Sequence, residues 1–389
     1  MPDTYDVAVI GAGPAGTSAA LHSARNGLKT VLLEEHAAVG EPVHCGECLS
    51  RECIEKFNFR MPAEAISFEA RGIRIIFPKG KVSVLNEAGV VLEKHKFEQW
   101  VARQASDAGA EVRLSARVTE LKRENGVWNI ATNSGFLQSK LAVDATGVAA
   151  FASSKLGLNP RFDDVIGLQY EMEDIPQEGY IDFYIWPRLA PHGYLWMIPK
   201  SGGRANVGLV TKDKSKAKPY LDQFVQEMGW KQKKVRKTFG GLIPAGGPAA
   251  RTYAEGLLLV GDAAGFTSPL FEGGTHLSLA SGRFAADVSK EAVEKNDFSE
   301  EVLKRYKGLW SSDFPDYGKI IGGKNSLYNF SEDELSAVAA ALPADLTSMG
   351  ALGKAEVGAR LLLHPGLLAK GAVSALNSLG YSRAKHYGW

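Results

Sequence analysis

The sequence of 389 residues predicts a protein of the α/β class, α+β when taken as a whole. Three observations predict this class. A strand, a glycine-rich turn, a helix and a second strand open the chain, strand-like segments fill residues 165–210, and helical periodicity dominates after about residue 274. Because α/β elements lie on both sides of the central strands, we expect a parallel-sheet domain that is assembled from separated segments of the chain.

The first element is a βαβ unit. A buried strand covers Val7 to Ile10, a helix of small residues runs from about Pro14 to Arg25, and Gly27 ends that helix. A second apolar strand, Thr30 to Leu33, finishes beside Glu34. A strand–helix–strand unit of about 30 residues is the building block of a Rossmann-type sheet.

The turn in this unit reads Gly11-Ala-Gly13-Pro-Ala-Gly16. In dinucleotide-binding folds the first such glycine permits a tight turn, the second lets the pyrophosphate approach the backbone, and the third lets the helix pack closely on the strand. The N-terminus of the helix would face the phosphates with about half a positive charge. Glu34 is placed to accept hydrogen bonds from the adenosine ribose. The turn therefore predicts a dinucleotide site, and a packing turn of small residues is the alternative.

A second α/β stretch, GLLLVGDAAG, decides which dinucleotide is expected. Its apolar strand ends at Gly261 and Asp262, and a carboxylate there could bind a ribityl hydroxyl. Gly273, Gly274 and Thr275 then begin a helix whose amide groups would stabilise negative charge on a reduced flavin. An enzyme that uses NAD alone has no need of this second site, so we predict FAD as the cofactor. A capping aspartate ahead of an ordinary helix is the alternative.

The remaining elements complete the predicted organisation. The segments RGIRIIF and GKVSVL alternate like antiparallel strands, and KFEQWVARQASDAGAEVRL has the pattern of a helix followed by a strand. Pro315, Pro343 and Pro365 interrupt the helices of the last part. The three predicted parts are a discontinuous FAD-binding domain (residues 1–66, 92–150 and 240–330), a β-rich substrate domain with an antiparallel sheet (67–91 and 151–239) and a helical C-terminal region (331–389).

Several of these motifs carry a family resemblance. The glycine turn with Glu34, the sequence Asp144-Ala-Thr146-Gly147 after a strand, and the Gly-Asp pair at 261–262 look like the FAD-binding side of the para-hydroxybenzoate hydroxylase-type flavoproteins. Within that group, GEPVHCGECLS at 40–50 and PHGYLWMIP at 191–199 resemble the geranylgeranyl reductase family. The family pattern P-x-x-Y-x-W-x-F-P is matched with Ile in place of Phe. The resemblance covers roughly residues 4 to 330.

The resemblance implies an FAD enzyme that saturates isoprenoid double bonds, as in archaeal membrane lipids or the phytyl chain. The chain departs from the family in three places, since the family commonly has Arg at Gln99, Gly at Cys48 and T-G-G-G-I where residues 271–275 read FEGGT. Carried over by position, the resemblance implies flavin contacts from Ala15, Glu34, Cys45, Gly46, Cys48, Val118, Asp262, Gly274 and Thr275, with Gln99 in the place of a charged contact.

All three cysteines lie close together, at Cys45, Cys48 and Cys53. A structural zinc site needs four ligands, and no second Cys or His pair follows at a suitable spacing, while an iron–sulfur cluster would lack its fourth thiolate. We therefore predict no metal site, and a Cys45–Cys48 redox pair stays an alternative. The loop that carries the cysteines leaves the second Rossmann strand shortly after Glu34. In this architecture such a loop returns along the ribityl chain toward the flavin ring, which predicts that Cys45 lies beside the flavin and faces the substrate. Burial in the core is the alternative for Cys45 and the expectation for Cys53.

Tyr194 and Trp196 are two residues apart on a predicted strand, so both side chains project from one face. Such a pair can line a hydrocarbon channel or fill a core, and the resemblance favours the channel. Saturation of an alkene would pair a hydride from flavin N5 with a proton, and aromatic faces could stabilise the cationic transition state. Cys45 is the candidate that orders the flavin–substrate contact or delivers the proton. His44, Glu47 and an activated water are the alternatives.

Composition and charge limit the partners. Lys and Arg number 45 against 44 Asp and Glu, so no net field favours nucleic acid. The first residues lack the features of a signal peptide, no apolar run is long enough to span a bilayer, and the cysteines do not form a secreted disulfide framework, so we expect a cytoplasmic protein. The partners implied are an isoprenoid lipid substrate and a diffusible electron donor. That donor is ferredoxin-like or NAD(P)H, because no second strand–GxGxxG–helix unit follows.

The last stretch, residues 351–389, mixes Leu and Ala with Lys354, Arg360 and Lys370. This pattern predicts a helical cap over the substrate domain. The alternative is a contact with the membrane surface, through which a lipid would enter, and which would make the protein peripheral at the membrane.

Three other functions stay open on the same fold. One is an FAD monooxygenase or halogenase, although hydroxylases of this kind usually have His or a basic residue where Gly265 follows Gly-Asp-Ala-Ala. Another is a flavoprotein that passes electrons to quinone, with the channel holding an isoprenoid tail. The third is a lipid-binding flavoprotein without catalysis, whose bound FAD could be reduced but would not be reoxidised by an alkene.

Overall fold

The computed structural model of the protein describes residues 3–381, 383 and 384, and Ser382 and residues 385–389 of the predicted C-terminal region lie outside it. The strands of the described chain are β1 (Asp3–Ile10), β2 (Thr30–Leu33), β3 (Cys48–Ser50), β4 (Ile66–Ala70), β5 (Gly72–Ile76), β6 (Val82–Leu85), β7 (Gly89–Leu92), β8 (Glu111–Arg113), β9 (Val118–Glu124), β10 (Val127–Thr132), β11 (Gly135–Asp144), β12 (Asp164–Met172), β13 (Tyr180–Tyr184), β14 (Tyr194–Pro199), β15 (Ala205–Thr211), β16 (Val235–Pro244), β17 (Tyr253–Ala254) and β18 (Leu257–Leu259). The helices are α1 (Pro14–Arg25), α2 (Arg51–Lys56), α3 (Lys94–Asp107), α4 (Phe151–Lys155), α5 (Ala217–Glu227), α6 (Thr275–Lys295), α7 (Glu300–Leu303), α8 (Arg305–Asp313), α9 (Tyr317–Tyr328), α10 (Glu332–Ala341), α11 (Ala351–Leu362), α12 (Pro365–Ala369) and α13 (Ala372–Tyr381).

The first sheet has eight strands and carries the predicted Rossmann-type unit. Its central order is β17-β18-β11-β1-β2-β8, and β9 and β10 form an antiparallel hairpin beside β11. β1 pairs in parallel with β2 and β11, so Val9 lies between Leu32 and Val143. The predicted helix Pro14–Arg25 is confirmed at both ends. β1 begins earlier than predicted, at Asp3, because its first residues already pair with β11.

The second sheet is the predicted β-rich block, with seven strands in the order β16-β12-β15-β14-β13-β5-β6. Its pairs are antiparallel except that β13 and β5 run parallel. β4 and β7 do not join this sheet, and with β3 they form a separate three-stranded sheet that includes Cys48. The stretch grouped as 67–91 from the sequence is thus divided between two sheets, because β3 from the cysteine loop pairs with β7.

Close packing of α1 on α6 brings together the two stretches that predict the cofactor site. A Cβ atom at Gly282 would lie 2.3 Å from the Ala15 carbonyl oxygen, so the helices can approach this closely only with glycine there. The Ser18 hydroxyl donates a hydrogen bond of 2.7 Å to the Leu279 carbonyl across the same contact. As a result, the N-termini of both helices face one space next to the carboxyl ends of β1 and β18.

The segment between α10 and α11 covers the β6 edge of the second sheet. In β6 the Val84 N–H donates to the Ala344 carbonyl at 2.7 Å, and the Val84 carbonyl accepts from the Leu346 N–H at 2.8 Å. α13 packs on α9 where Gly323 leaves room for the Ser374 carbonyl oxygen. The predicted helical C-terminal part is therefore confirmed. Within the described chain, no helix combines the length and the apolar composition that crossing a bilayer requires.

Candidate active site

One cavity of about 630 Å³ is lined by residues of both large sheets. The segments that follow β1, β2, β11 and β18 form one part of it, with the N-termini of α1 and α6, and residues of β12, β14 and β16 form the other. The predicted site residues that line it are Gly11, Gly13, Ala15, Glu34, Cys45, Gly46, Val118, Trp196, Asp262, Gly274 and Thr275. Those that do not are Gly16, Cys48, Gln99 and Tyr194.

The three glycines of the first turn have different surroundings. Gly11 has a φ of +98°, and a Cβ there would lie 2.5 Å from the Ala145 carbonyl oxygen. A Cβ at Gly16 would lie 1.8 Å from the Gly11 carbonyl oxygen. Protein packing therefore requires both of these glycines. A Cβ at Gly13 would meet nothing within 4 Å, so the glycine there leaves room in the cavity for a ligand, as close approach of a pyrophosphate demands.

The Glu34 carboxylate is held at one end of the cavity by donors from its own surroundings. One oxygen accepts a hydrogen bond of 2.8 Å from the Ala12 N–H. The other accepts from the His36 N–H at 2.9 Å and lies 2.6 Å from His36 Nδ1. A carboxylate that is oriented in this way at the end of β2 fits the recognition of ribose hydroxyls.

Asp262 and the start of α6 form a second polar region. Burial raises the pKa of Asp262, and the Thr267 hydroxyl donates to its carboxylate at 3.1 Å. α6 begins after Gly274, whose N-cap position supplies no side-chain hydrogen bond to the first amides. Those amides are therefore available to an electronegative group in the cavity, which fits the pyrimidine end of a flavin.

The Cys45 thiol lies beside a buried cation that the motifs did not single out. Its sulfur accepts hydrogen bonds from the Glu47 N–H at 3.2 Å and from Lys94 Nζ at 3.8 Å. Lys94 Nζ also donates to the Thr275 hydroxyl at 2.7 Å, and the residue is only 4% exposed. Burial lowers the pKa of Lys94, but Cys45, Glu98 and Glu47 outweigh it, so the net shift is upward. One sequence signal was available, because a lysine at the first position of α3 opposes the helix dipole.

Glu47 holds the cysteine loop in place. One carboxylate oxygen accepts hydrogen bonds from Lys200 Nζ at 2.6 Å and from Asn206 Nδ2 at 2.7 Å, and the other accepts from the Lys94 N–H at 2.9 Å. Glu47 and Lys200 are each 2% exposed. Lys200 Nζ also donates to Glu93 at 3.2 Å, so the buried charges form a network that holds the loop against β15 and the residue that follows β14. The other alternative, His44, is exposed and lies 2.9 Å from the Gly240 carbonyl.

Trp196 is connected to the cysteine loop through Gln169. The indole N–H donates to the Gln169 side-chain oxygen at 3.1 Å, and the Gln169 amide donates to the Cys45 carbonyl at 2.7 Å. A Cβ at Gly208 would lie 2.5 Å from the indole ring, so glycine lets the ring lie flat on β15. Gln169 on β12 was not predicted, because one glutamine in an alternating strand carries no distinctive pattern.

Tyr194 lies behind Trp196 and is not on the cavity wall. Its ring packs against Trp196, Phe183 and Phe271, with centroids 5.7, 5.3 and 5.3 Å away. Its hydroxyl donates to the Phe271 carbonyl at 2.6 Å. Tyr194 therefore anchors the loop that precedes α6 and supports the tryptophan.

The remaining predicted residues have local partners. The Gln99 amide donates to the Val39 carbonyl at 3.2 Å, and the Cys48 thiol lies 3.7 Å from the Gly46 carbonyl. Cys53 is buried, as predicted. All three thiols are free. Over residues 3–381, 383 and 384, no group of three or more His, Cys, Asp and Glu side chains is arranged to hold a metal ion.

Glu272 is a further cavity residue that the motifs did not identify. Its side chain is 4% exposed, and one carboxylate oxygen lies 3.7 Å from Lys324 Nζ. The other oxygen has no hydrogen-bond partner among the described residues. Burial raises the pKa of Glu272 to about 8, while Lys324 acts in the opposite direction. The available signal was a charged residue in an apolar, glycine-rich turn at a φ of +48°.

Comparisons with known proteins agree with this arrangement. The model for the geranylgeranyl reductase catalytic domain matches residues 163–242, and the model for FAD dependent oxidoreductases matches residues 6–155. The digeranylgeranylglycerophospholipid reductase of Methanocaldococcus jannaschii is 35% identical over 361 residues, which cover 88% of this chain and 91% of that protein. The reductase of the same name from Thermoplasma acidophilum is 34% identical and covers 79% and 83% of the two chains.

Solved structures extend the comparison. A geranylgeranyl bacteriochlorophyll reductase-like protein from Thermoplasma acidophilum superposes with a TM-score of 0.86 at 30% identity, over 96% of this chain and 99% of that chain. The flavin-dependent halogenase CmlS is similar with a TM-score of 0.68 at 19% identity, over 94% of this chain and 78% of its own. At that identity the halogenase likeness shows the fold alone.

Proposed function

The chain belongs to the geranylgeranyl reductase family of FAD-dependent oxidoreductases, and on that premise we propose that it saturates carbon–carbon double bonds of isoprenoid chains in membrane lipids. Two curated relatives are digeranylgeranylglycerophospholipid reductases by name, which makes geranylgeranyl chains on a glycerophospholipid the proposed substrate class. The observation that carries the proposal is one cavity that reaches from the glycine turn and Glu34 to Cys45 and Trp196.

We assign the eight-stranded sheet to FAD binding and the seven-stranded sheet to the substrate. Gly13 and Glu34 would hold the adenosine diphosphate half, Asp262 the ribityl chain, and the amides at Gly274 and Thr275 the flavin pyrimidine. When bound and reduced, FAD supplies a hydride equivalent for the alkene. This assignment is supported by the free space at Gly13 and by the uncapped start of α6.

The chain's own residues act on the substrate in two ways. Cys45, held by Lys94 and the Glu47 amide, orders the contact between the alkene and the cofactor. Trp196 presents an aromatic side chain to the cavity, where it stabilises positive charge that develops on carbon as the alkene is protonated. The apolar residues Leu168, Phe239 and Ile243, which line the part of the cavity formed by the second sheet, keep water from trapping that charge. Tyr194 contributes by supporting Trp196 from behind.

Anaerobic reduction of the purified yellow protein, followed by addition of geranylgeranyl lipids, tests the function. We expect the flavin absorbance to recover as the alkene is consumed, with a product heavier by two hydrogens for each bond saturated. A hydroxylated or halogenated product that requires oxygen would select the monooxygenase or halogenase. Reduction of quinone without alkene loss would select electron transfer. Reduced protein that no alkene reoxidises would leave a binding function.

We also infer a diffusible electron donor for this reaction. The sequence holds one strand–GxGxxG–helix unit, and the cavity in front of it is assigned to FAD. Reduction of the bound flavin by NADPH, NADH or a reduced ferredoxin, each added alone without oxygen, distinguishes the two classes of donor.

A further part of the proposal is that α11 and the residues after it contact a bilayer surface. Three leucines there are turned to solvent, with Leu352 89%, Leu362 69% and Leu363 78% exposed. Large apolar side chains at this exposure mark interaction surfaces, and a substrate that resides in a membrane supplies the apolar partner. Two nearby cations form ion pairs within the protein, since Arg360 lies 2.6 Å from Glu356 and Lys370 lies 2.6 Å from Glu334. The side chain of Lys354 lies outside the described residues.

Replacing Leu362 and Leu363 together by serine will lower the fraction of protein that floats with liposomes. We expect a loss of about tenfold or more in membrane partitioning, because burial of one leucine side chain contributes roughly 1.5 kcal/mol or more. The matched control replaces Leu114 and Leu156, which are 43% and 44% exposed elsewhere. Equal flotation of both double variants would show that α11 does not contact the membrane.

A further inference from the structure

We propose that the Lys94 ammonium group stabilises the negative charge of the reduced flavin and so raises the reduction potential of the bound cofactor, an inference that rests on the proposed FAD site. The donor delivers two electrons and solvent supplies one proton, which gives a reduced flavin with one negative charge at its pyrimidine end. A cation beside that end favours the reduced form over the oxidised form. The two electrons and the proton then leave together as the hydride that the alkene receives, so the charge is removed and electrons balance.

The ammonium group of Lys94 reaches the end of the cavity that is assigned to the flavin pyrimidine. Lys94 Nζ donates a hydrogen bond of 2.7 Å to the hydroxyl of Thr275, which is the first residue of α6. It also donates to the Cys45 sulfur at 3.8 Å, and all three residues line the cavity. The N-cap of α6 supplies no side-chain partner to the first amides. The ammonium group therefore lies beside amides that are available to an electronegative ligand.

Lys94 is the buried cation of this cavity. Among the described residues that line it, the other lysine or arginine is Arg117, whose side chain is 70% exposed and lies 3.1 Å from Glu35. Lys94 is only 4% exposed. A charge that is removed from water acts far more strongly on a ligand than an exposed one does, because the effective dielectric constant is lower. Lys94 is therefore the cation of the cavity wall that acts most strongly on a charge at the flavin ring.

Acidic groups from three segments of the chain face Lys94. Its Nζ lies 3.7 Å from Glu98 Oε1 on α3, and Cys45, Glu47 and Asp262 act on it from the cysteine loop and from the segment after β18. Burial lowers the pKa of Lys94, but these four groups outweigh it, so the side chain remains an ammonium. Burial raises the pKa of Glu98 to about 7 and raises that of Asp262. Because these carboxyl groups are readily protonated, they compensate the lysine only in part.

The two helices that meet at this point make the position costly for a cation. Lys94 is the first residue of α3, and its ammonium group contacts the first residue of α6, so the positive ends of both helices oppose it. Burial of the charge adds to this cost. A bound group with negative charge offsets both terms. The family pattern T-G-G-G-I has Ile where this chain has Thr275, so the hydroxyl that holds the ammonium group belongs to this chain.

The pyrophosphate of the cofactor is the other anion that a buried lysine could bind. It is assigned to Gly13 and the start of α1, whereas Lys94 contacts α6. The two possibilities differ in a measurable way. The pyrophosphate has the same charge in oxidised and reduced FAD, so a lysine beside it strengthens the binding of both forms equally and leaves the potential unchanged. A lysine beside the pyrimidine strengthens the binding of the reduced form, which raises the potential.

The test compares the reduction potentials of FAD bound to the wild type, Lys94→Met and Lys94→Arg, measured without oxygen by titration with dithionite against a reference dye. We expect Lys94→Met to lose about 10- to 100-fold of the preference for reduced over oxidised FAD. The potential then falls by about 30–60 mV, because tenfold corresponds to about 30 mV for a two-electron couple. Lys94→Arg keeps the charge and will keep a potential close to that of the wild type. Arg117→Met, which removes the exposed cation of the cavity, is the matched control and will leave the potential unchanged.

A second variant tests how the ammonium group is held. Thr275→Val keeps the first amide of α6 and removes the hydroxyl that accepts from Lys94. The ammonium group then loses its tie to α6, and we expect the potential to fall by less than in Lys94→Met. Titration of each variant with oxidised and with reduced FAD gives the two dissociation constants separately, so a variant that binds FAD weakly is still decisive. Thermal unfolding shows whether each variant folds.

The outcomes separate this inference from the proposed function. The potential is measured without lipid, so a wild type that binds FAD and does not saturate the lipid would end the proposed function and leave the test of Lys94 intact. An unchanged potential in Lys94→Met, or equal weakening of oxidised and reduced FAD, would overturn the role of Lys94 while the function stands. If Lys94→Met does not fold, an unchanged potential in Thr275→Val would overturn that role in its place.

Discussion

Cys45→Ser will leave FAD bound and will lower the rate of alkene saturation by about 100-fold. The hydroxyl group can keep the hydrogen bond from the Glu47 N–H, so the loop should retain its position. It is smaller than the thiol and makes a different contact with Lys94, whose ammonium lies 3.8 Å from the sulfur. Misplacement of a reacting contact by about 1 Å is enough for a loss of this size. Flavin absorbance measures binding, and anaerobic product mass measures saturation.

The control for this variant is Cys53→Ala. Cys53 is fully buried in the core outside the cavity, so its removal tests whether loss of any thiol affects the enzyme. We expect that variant to be less stable and to saturate the lipid at the wild-type rate per folded molecule. Undiminished turnover in Cys45→Ser would remove Cys45 from the mechanism. Loss of FAD in the same variant would instead make Cys45 a structural contact of the cofactor.

Gly13→Ala will fold normally and bind FAD poorly. The φ of Gly13 is −68°, which alanine adopts without strain, and no protein atom lies within 4 Å of the added Cβ. The methyl group would project into the space assigned to the pyrophosphate. We expect a loss of about 10- to 100-fold in FAD affinity, the equivalent of roughly 1.5–3 kcal/mol of overpacking. Fluorescence titration of the cofactor-free protein with FAD measures the affinity, and thermal unfolding measures the fold.

Substitutions at two other glycines serve as controls for Gly13→Ala. Gly16→Ala should fail to fold, because its Cβ would lie 1.8 Å from the Gly11 carbonyl oxygen. Gly308→Ala, in the exposed part of α8 where a Cβ meets nothing within 4 Å, should bind FAD as the wild type does. Wild-type FAD affinity in Gly13→Ala would show that the pyrophosphate does not approach this turn, and the assigned cofactor position would be wrong.

Much of the architecture was predictable because it depends on local patterns. The small-residue helix Pro14–Arg25 and the strand Thr30–Leu33 have the predicted bounds, since apolar periodicity and flanking glycines specify them within a few residues of chain. The strand that carries both Tyr194 and Trp196, and the helix that begins at Thr275, were predicted on the same grounds. The second α/β stretch, with Asp262 and the start of α6, led to FAD, and the family motifs led to a reductase.

The contacts inside the cavity were not predictable in this way. Lys94 meets the Thr275 hydroxyl across 181 positions of sequence, and Glu47 meets Lys200 across 153. Tyr194 and Trp196 follow the same alternation, yet only Trp196 lines the cavity, because the Phe271 carbonyl and the Phe183 ring occupy the space around Tyr194. The alternation of residues within one strand carries no information about where a loop from another part of the chain will lie.

By itself, the sequence determined the glycine turn, the acid at the end of the second strand, the cysteine loop and the order of strands and helices, since each depends on steric and apolar patterns among near neighbours. Only the tertiary structure decided which charged groups are buried together at the cavity. The pairs Lys94–Cys45 and Glu272–Lys324 exist because distant segments pack against each other. A charge shows its chemical role only when the folded chain has removed the water around it and supplied its partner.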